Sequence, residues 1–272
     1  MTEVNNTSRI DACFERLRKE GRKGLIPYVT AGDPGPEATV PLLHSMVEAG
    51  ADIIELGIPF SDPVADGPVI ELAHQRAVSQ GVTLADVLLM VEEFRKKDNV
   101  TPIALMGYLN PIEIMGYETF AWRAAEAGVD GLLAVDIPPE DADDMLVPLR
   151  KHGLDAVFLL SPNTADERIS GICEAASGYV YYVSLKGVTG AGNLDINEVQ
   201  RRVEHIKGYT RLPVCVGFGI RDGASASAIS KVADAVIVGT ALVKELAAHE
   251  DLEGAKAAIT ARLTEMRTAM DQ

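Results

Sequence analysis

Two carboxylate side chains that could take part in catalysis lie between residues 52 and 68. Glu55 interrupts an apolar run that has the composition of a buried strand. Burial disfavours the charged form of a carboxyl group and raises its pKa, so a carboxylate here suits general acid or base catalysis near neutral pH. The alternative is a structural carboxylate paired with a buried partner, and the residue types alone leave both interpretations open.

Asp66 follows in a loop rich in Gly, Pro and Asp, directly before Gly67 and Pro68. Because proline is common in the first turn of a helix, Asp66 has the position of a helix cap. However, one carboxylate on a strand and another on a loop also form a suitable pair for acid–base chemistry. Both interpretations of Asp66 stay open at this point.

Glycines mark three further places at the ends of predicted strands. Gly187, Gly190 and Gly192 form a loop that is either a lid over a ligand or an ordinary turn. Gly219 follows the seventh strand, and Gly239 follows the eighth and opens a helix with Thr240. Amides at a helix N-terminus bind phosphate, so the last two places predict a phosphate site.

Aromatic residues are few, but four of them fall near predicted strand ends: Tyr28, Tyr108, Tyr181 and Phe218. Filling of the core explains any one of them. If all four converge, they form an apolar pocket that fits a flat ring.

Composition excludes several classes of function. The net charge of −15 argues against binding to nucleic acid or to an anionic membrane, since both need a basic surface. The three cysteines and five histidines show no metal-ligand spacing, so we expect buried thiols and no metal. The first residues lack the pattern of a signal peptide, and no apolar run is long enough to span a bilayer. We therefore expect a cytoplasmic protein.

The elements that must position these residues alternate between short apolar runs and helical patterns. This alternation predicts βαβ units, and eight strands favour a (β/α)8 TIM barrel over an open doubly wound sheet. We expect one domain over residues 1–272, with an extra N-terminal helix over Ser8–Glu20 and extra C-terminal helices within Thr240–Met270. The predicted strands are Gly24–Thr30, Ile53–Leu56, Ile103–Leu105, Gly131–Val135, Ala156–Leu160, Tyr179–Val183, Val214–Gly217 and Ala235–Val238.

The run from Glu55 to Pro68, ELGIPFSDPVADGP, closely resembles the signature of the tryptophan synthase α subunit family. Further motifs resemble that family in the same order along the chain. They are Pro27–Pro34, Leu105–Pro111, Asp136–Pro138, Gly187–Gly190 and Gly217–Ile220.

The resemblance implies a lyase that cleaves indole-3-glycerol phosphate to indole and glyceraldehyde 3-phosphate in a retro-aldol reaction. Glu55 matches the acid/base residue that protonates the ring carbon bearing the glycerol chain. Asp66 matches the carboxylate that holds the ring N–H, and Tyr181 matches a tyrosine near the catalytic glutamate. Thr189 matches a lid threonine that contacts the loop aspartate. Other matches are Tyr28, Met106, Tyr108 and Phe218 in the indole pocket, and Gly190, Gly219, Gly239 and Thr240 in the phosphate site.

The resemblance also implies a partner, the β subunit, in an α–β–β–α heterotetramer. Pyridoxal phosphate is then expected on the β subunit, with no cofactor on this chain. The loops at Pro59–Asp66 and Asn110–Met115 are expected near the interface.

Alternatives are a free-standing lyase, another phosphate-binding barrel such as an isomerase, and a subunit that mainly activates its partner. The sequence departs from the family pattern at Lys186, at Thr240 in place of the frequent serine, and after Gly190, where the family often has arginine.

Overall fold

The structure is a computed structural model that describes residues 8–184, 195–217, 219–249 and 251–272. Strands and helices alternate through these ranges. The strands are β1 (Gly24–Thr30), β2 (Ile54–Gly57), β3 (Ile103–Gly107), β4 (Gly131–Ala134), β5 (Asp155–Ala156), β6 (Phe158–Leu160), β7 (Val180–Val183), β8 (Val214–Gly217) and β9 (Ala235–Val238). The helices are α1 (Arg9–Glu20), α2 (Thr39–Glu48), α3 (Pro68–Ser79), α4 (Leu84–Arg95), α5 (Leu109–Met115), α6 (Tyr117–Ala127), α7 (Asp143–Lys151), α8 (Asp166–Ala175), α9 (Ile196–Lys207), α10 (Gly223–Ser230), α11 (Thr240–Ala247) and α12 (Leu252–Met270).

The sheet is parallel and curves into a nearly closed barrel. The strand order is β5-β4-β3-β2-β1-β9-β8-β7-β6. The first and the last strand of the chain, β1 and β9, pair with each other. Helices cover the outside of the sheet, so the strands are buried on both faces, which accounts for their near-continuous apolar sequences. This is the predicted TIM-barrel architecture.

The described residues contain nine strands, one more than the sequence predicted. The predicted fifth strand, Ala156–Leu160, divides at Val157 because the chain changes its pairing partner there. β5 pairs with β4 through Asp155 and Ala156, whereas β6 pairs with β7 from Phe158 onward. Together the two short strands fill one position in the barrel.

The predicted N-terminal helix, α1, closes one end of the barrel. Ser8 caps the helix by accepting a hydrogen bond from the backbone N–H of Asp11. The buried side chains of Ile10, Phe14 and Leu17 belong to the same apolar cluster as residues of the barrel interior. The other end of the barrel, where the strands have their carboxyl termini, is called the mouth below.

Three aspartates lie just before strands at the α1 end, and each accepts a hydrogen bond from the backbone of a neighbouring strand. The bonds run from Leu25 N to Asp52 (3.0 Å), from Ile103 N to Asp130 (2.7 Å) and from Val214 N to Asp234 (3.0 Å). We call Asp52, Asp130 and Asp234 the basal aspartates.

Each basal aspartate also pairs with a cation. Arg95 and Arg9 both lie 2.8 Å from Asp130. Arg267 lies 3.2 Å from Asp52, and Lys207 lies 2.8 Å from Asp234. These ion pairs join the outer helices to the starts of the strands.

The segment Asn110–Met115, expected to be a loop, belongs to helix α5. Pro111 lies in its first turn, where a helix needs no backbone N–H donor. The N–H of Leu109 donates to Asp136 at 2.8 Å, which ties the start of α5 to the loop after β4.

The C-terminal segment forms two helices, as predicted, and Asp251 caps the second by accepting the N–H of Gly254 at 2.7 Å. Among the described residues, no helix is long and apolar enough to cross a membrane.

Candidate active site

Glu55 lies inside the barrel, in the middle of β2, and its side chain is fully buried. The hydroxyl of Tyr179 donates a hydrogen bond to Glu55 Oε1 at 2.7 Å. Oε2 is buried and has no hydrogen-bond partner among the described residues. Burial raises the pKa of Glu55 to about 7, although the hydrogen bond from Tyr179 opposes this shift. The carboxyl group can therefore release and accept a proton near neutral pH.

Two tyrosines each lie over a glycine of the neighbouring strand, two residues beyond the position that faces the tyrosine in the sheet. On β2, Glu55 is the register partner of Tyr28, and a Cβ on Gly57 would lie 2.3 Å from the Tyr28 hydroxyl oxygen. Tyr181 pairs with Cys215, and a Cβ on Gly217 would lie 2.1 Å from the Tyr181 hydroxyl oxygen. Each glycine therefore leaves the space that a tyrosine hydroxyl fills.

The structure brings three of the four predicted aromatic residues towards the mouth. Burial is the main cause of the raised pKa values of Tyr28, Tyr108 and Tyr181. The negative charge of Asp66 raises all three pKa values further. The charge of Asp66 thus acts on all three phenols, which stay protonated. Met106 packs against both the barrel interior and the cluster that contains Tyr28.

Asp66 does not cap helix α3. Gly67 occupies the cap position, without a side-chain hydrogen bond, and Pro68 follows it. The side chain of Asp66 instead accepts a hydrogen bond from the Tyr108 hydroxyl at 2.8 Å. This bond links the loop after β2 to the residue that follows β3, so the helix-cap interpretation of Asp66 is wrong and its catalytic role stays a prediction.

His74 and Tyr179 have no role predicted from the sequence, yet each contacts a predicted catalytic residue. His74 lies on the buried face of α3, and its Nε2 is 3.4 Å from Asp66 Oδ2. A histidine on the apolar face of this helix was a usable signal. Tyr179 begins a predicted strand, and nothing in its local pattern points to a contact with Glu55.

Two of the predicted phosphate-site elements lie in the described residues. Gly219 has a φ of +80°, a left-handed conformation that favours glycine. Gly239 precedes α11, and Thr240 is the first residue of that helix. Gly239 has a φ of −118°, and a Cβ there would meet only Tyr28 at an ordinary 3.5 Å. Neither the backbone nor the packing requires this glycine, so a ligand that approaches the helix N-terminus would account for it.

Phe218, Thr189 and Gly190 lie outside the described residues, so their predicted roles stay predictions. Lys186, Gly187 and Gly192 lie outside them as well.

A cavity of about 300 Å³ opens at the carboxyl ends of β4 and β6. Val135 and Leu159 line it and also pack against the barrel interior. Within the described ranges, no group of three or more His, Cys, Asp or Glu side chains is arranged to hold a metal ion.

Comparison with known proteins identifies the family. The family model of the tryptophan synthase alpha chain matches residues 14–271. The chain belongs to the tryptophan synthase alpha chain family. The tryptophan synthase alpha chain of Thioalkalivibrio sulfidiphilus is 60% identical over 265 residues, which cover 97% of this chain and 100% of that protein. The counterpart from Marinobacter nauticus is 57% identical over 265 residues, covering 97% of this chain and 98% of that protein.

Solved structures of tryptophan synthase chains have the same fold. Tryptophan synthase subunit alpha of Legionella pneumophila superposes with a TM-score of 0.89 at 46% identity, covering 97% of this chain and 98% of that one. A chain of tryptophan synthase from M. tuberculosis in an aminoacrylate-bound form gives 0.86 at 34% identity, covering 97% and 99%. The resemblance to the alpha chain family that the motifs indicated is confirmed.

Proposed function

We propose that this chain is the lyase subunit of tryptophan synthase, which cleaves indole-3-glycerol phosphate to indole and glyceraldehyde 3-phosphate. Membership of the alpha chain family supports this activity over that of another phosphate-binding barrel. The observation that carries the mechanism is the buried Glu55, whose pKa of about 7 suits it to exchange protons at neutral pH.

The first chemical step is proton transfer from the Glu55 carboxyl group to the ring carbon that bears the glycerol chain. The ring then carries positive charge that extends to its nitrogen, which makes it an acceptor for the electron pair of the adjacent C–C bond. Burial favours this step, because it keeps a fraction of Glu55 protonated at neutral pH.

The second step removes the proton from the hydroxyl group on the carbon attached to the ring. Glu55 is now a carboxylate and accepts this proton, so one residue serves as acid and then as base. As the hydroxyl becomes the aldehyde, the C–C bond breaks and its electron pair returns to the ring. The products are indole and glyceraldehyde 3-phosphate, and Glu55 is again protonated.

Asp66 accepts a hydrogen bond from the ring N–H in this proposal. A carboxylate at the nitrogen stabilises the positive charge that develops there after protonation of the ring. In support, the Tyr108 hydroxyl donates a hydrogen bond of 2.8 Å to the Asp66 carboxyl group.

The remaining predicted residues bind the two ends of the substrate. Tyr28, Met106, Tyr108, Tyr181 and Phe218 form the apolar pocket for the ring, and Thr189 lies in the lid. The backbone at Gly190, Gly219 and Gly239, together with Thr240, binds the phosphate. Amides and a helix N-terminus supply a local positive potential, so the anion needs no basic surface on a chain of charge −15.

The partner of this subunit is a β subunit, because an alpha chain implies a second type of chain. We propose an α–β–β–α heterotetramer in which the β subunit carries pyridoxal phosphate and receives the indole. The loop Pro59–Asp66 and helix α5 lie beside the mouth, with Val64 and Ile114 strongly exposed. These apolar side chains suit contact with a partner.

An assay of indole release from indole-3-glycerol phosphate, with and without the β subunit, tests this function. We expect release by the chain alone and a many-fold increase with the partner. Unchanged activity on addition of the β subunit would indicate a free-standing lyase instead. No release under either condition would contradict the proposed function.

The phosphate site has its own test in the variant Gly239→Asp. The added carboxylate would repel the phosphate and block its approach, so we expect a KM at least tenfold higher. Gly239→Asn is the matched control, because it has the same size without the charge. An unchanged KM in Gly239→Asp would contradict this placement of the phosphate.

A further inference from the structure

His74 has no part in the reaction described above, although it is only 2% exposed and contacts the loop that carries Asp66. Its Nδ1 accepts a hydrogen bond from the backbone N–H of Phe60 at 3.2 Å. Its Nε2 lies 3.4 Å from Asp66 Oδ2. One imidazole on α3 therefore contacts both the start and the end of the loop between β2 and α3.

The contact with Phe60 decides which nitrogen of His74 carries the proton. A backbone N–H can only donate, so Nδ1 must be an acceptor and carry no hydrogen. Neutral imidazole has one N–H, which is then on Nε2, the nitrogen that lies 3.4 Å from Asp66 Oδ2. The loop backbone thus fixes the tautomer whose N–H lies on the side of Asp66.

Tyr108 is directed at Asp66 by the same principle. The backbone N–H of Ala65 donates to the Tyr108 hydroxyl oxygen at 2.9 Å. The hydroxyl therefore uses its own proton in the 2.8 Å bond to Asp66 Oδ2. Two backbone amides of one loop, at Phe60 and Ala65, thus leave the protons of two neutral groups on the side of a single carboxylate oxygen. Tyr108 donates its proton to Asp66 Oδ2 in a hydrogen bond, and His74 Nε2 lies 3.4 Å from the same oxygen.

The other oxygen of Asp66, Oδ1, accepts no hydrogen bond from the part of the chain that the structure describes. We propose that His74 is a positioning residue that, together with Tyr108, holds Asp66 through Oδ2 and leaves Oδ1 to accept the ring N–H of the substrate. This inference rests on the proposed function, because it requires that Asp66 binds the ring nitrogen.

A purely structural role for His74 predicts different behaviour. If the histidine only attaches the loop to α3 through Phe60, its loss would weaken every ligand of the site to a similar degree. If it orients Asp66, its loss would weaken only those ligands that offer an N–H to Asp66.

Two non-cleavable ligands separate these cases: 3-(indol-3-yl)propyl phosphate and its benzofuran counterpart, in which oxygen replaces the ring N–H. Binding of both to the full chain is measured by calorimetry. In the unmodified protein the indole ligand should bind roughly tenfold more tightly, since a hydrogen bond to a charged acceptor has about this effect.

Three variants of His74 then complete the experiment. In His74→Phe we expect the preference for the indole ligand to fall to about twofold, with little change for the benzofuran ligand. His74→Gln can place an amide N–H near the former Nε2 and should keep most of the preference. His74→Asn keeps an acceptor for Phe60 but does not reach Asp66, and should lose the preference. Thermal unfolding of each variant shows that it is folded.

An equal loss of affinity for both ligands in His74→Phe would overturn the proposal. The same conclusion follows if His74→Asn keeps the preference and His74→Gln loses it, because His74 would then act through Phe60. If the unmodified protein shows no preference between the two ligands, the role of Asp66 in the proposed function fails instead.

Discussion

Glu55 and Asp66 have environments opposite to those of the basal aspartates. The basal aspartates, at the end closed by α1, pair with Arg or Lys and also accept backbone N–H groups, as Asp130 does from Arg95 and Ile103. Towards the mouth, Glu55 and Asp66 have only neutral partners among the described residues, a phenol for Glu55 and a phenol and an imidazole for Asp66.

This difference indicates that the basal aspartates stabilise the fold, whereas Glu55 and Asp66 are available for the reaction. A nearby cation favours the charged form of a carboxylate. Although burial opposes it, Lys207 keeps the pKa of Asp234 below its ordinary value, whereas burial raises the pKa of Asp52 in spite of Arg267. Without a cation, burial dominates and raises the pKa of Glu55 to about 7. Substitutions towards the mouth should therefore change the rate, whereas substitutions at the closed end should change the free energy of unfolding.

The largest effect on rate is expected for Glu55→Gln, which removes the proton that the reaction needs. Indole release should fall by roughly 10³-fold, within the usual range for a general acid or base. The affinity for a non-cleavable indole-3-alkyl phosphate should stay nearly constant. More than a tenth of the original rate in this variant would contradict the assignment of Glu55.

The same variant has a stability signature that serves as its folding control. The pKa of Glu55 is about 7 in the folded protein, against an ordinary value of 4.5. The folded state therefore holds the proton more tightly, and the unmodified protein loses stability as the pH rises from about 4.5 to about 7, by up to about 3 kcal/mol. Glu55→Gln should lack this loss and unfold at a higher temperature at pH 8.

A smaller loss of rate, on the order of 10²-fold, is expected for Asp66→Asn. The amide keeps the size of the side chain but no longer stabilises the positive charge on the ring. Steady-state kinetics of indole release measure this, with Asp62→Asn as the control, because Asp62 is exposed in the same loop. Full activity of Asp66→Asn would show that the carboxylate is structural.

A shift in pH dependence is expected for Tyr179→Phe. The phenol lowers the pKa of Glu55 by hydrogen bonding to the carboxylate, so its removal should raise that pKa above about 7. The corresponding limb of the profile of kcat/KM against pH should move to higher pH. A profile that does not move would mean that another group controls the limb.

The smallest effect on rate is expected at the closed end. Asp130→Asn leaves the buried charge of Arg95 without its partner, which costs about 3–5 kcal/mol of unfolding free energy. The kcat of the folded variant should be unchanged. Denaturant titration measures the loss, and Glu93→Gln, which breaks an exposed ion pair with Lys96, is the control. A large fall in kcat for Asp130→Asn would break the separation between the two ends.

The sequence predicted the fold because the alternation of buried strands and helices is a strong local signal. The bounds of Gly24–Thr30, Val214–Gly217 and Ala235–Val238 are those of β1, β8 and β9. It missed the division at Val157, because a change of pairing partner depends on the neighbouring strands. It also missed helix α5, because the segment Asn110–Met115 was expected as an interface loop on the resemblance alone, although Pro111 fits a first helical turn.

For the site, the sequence indicated which residues could be catalytic but not which side chains contact them. Glu55 stood out as a charge within an apolar strand, and burial confirms that environment. The contacts of Tyr179 with Glu55 and of His74 with Asp66 join residues far apart in the chain or on different elements. Such contacts follow from barrel closure and helix placement, which local patterns do not encode.

The closure of one end by α1 decides how molecules enter and leave. Within the described residues, Ile10, Phe14 and Leu17 fill that end, so substrate and both products pass through the mouth. Indole is small and apolar and would escape into solvent through an uncovered opening. A protein that covers the mouth therefore controls the release of indole, which makes a barrel closed at one end well suited to pass its product directly to a second enzyme.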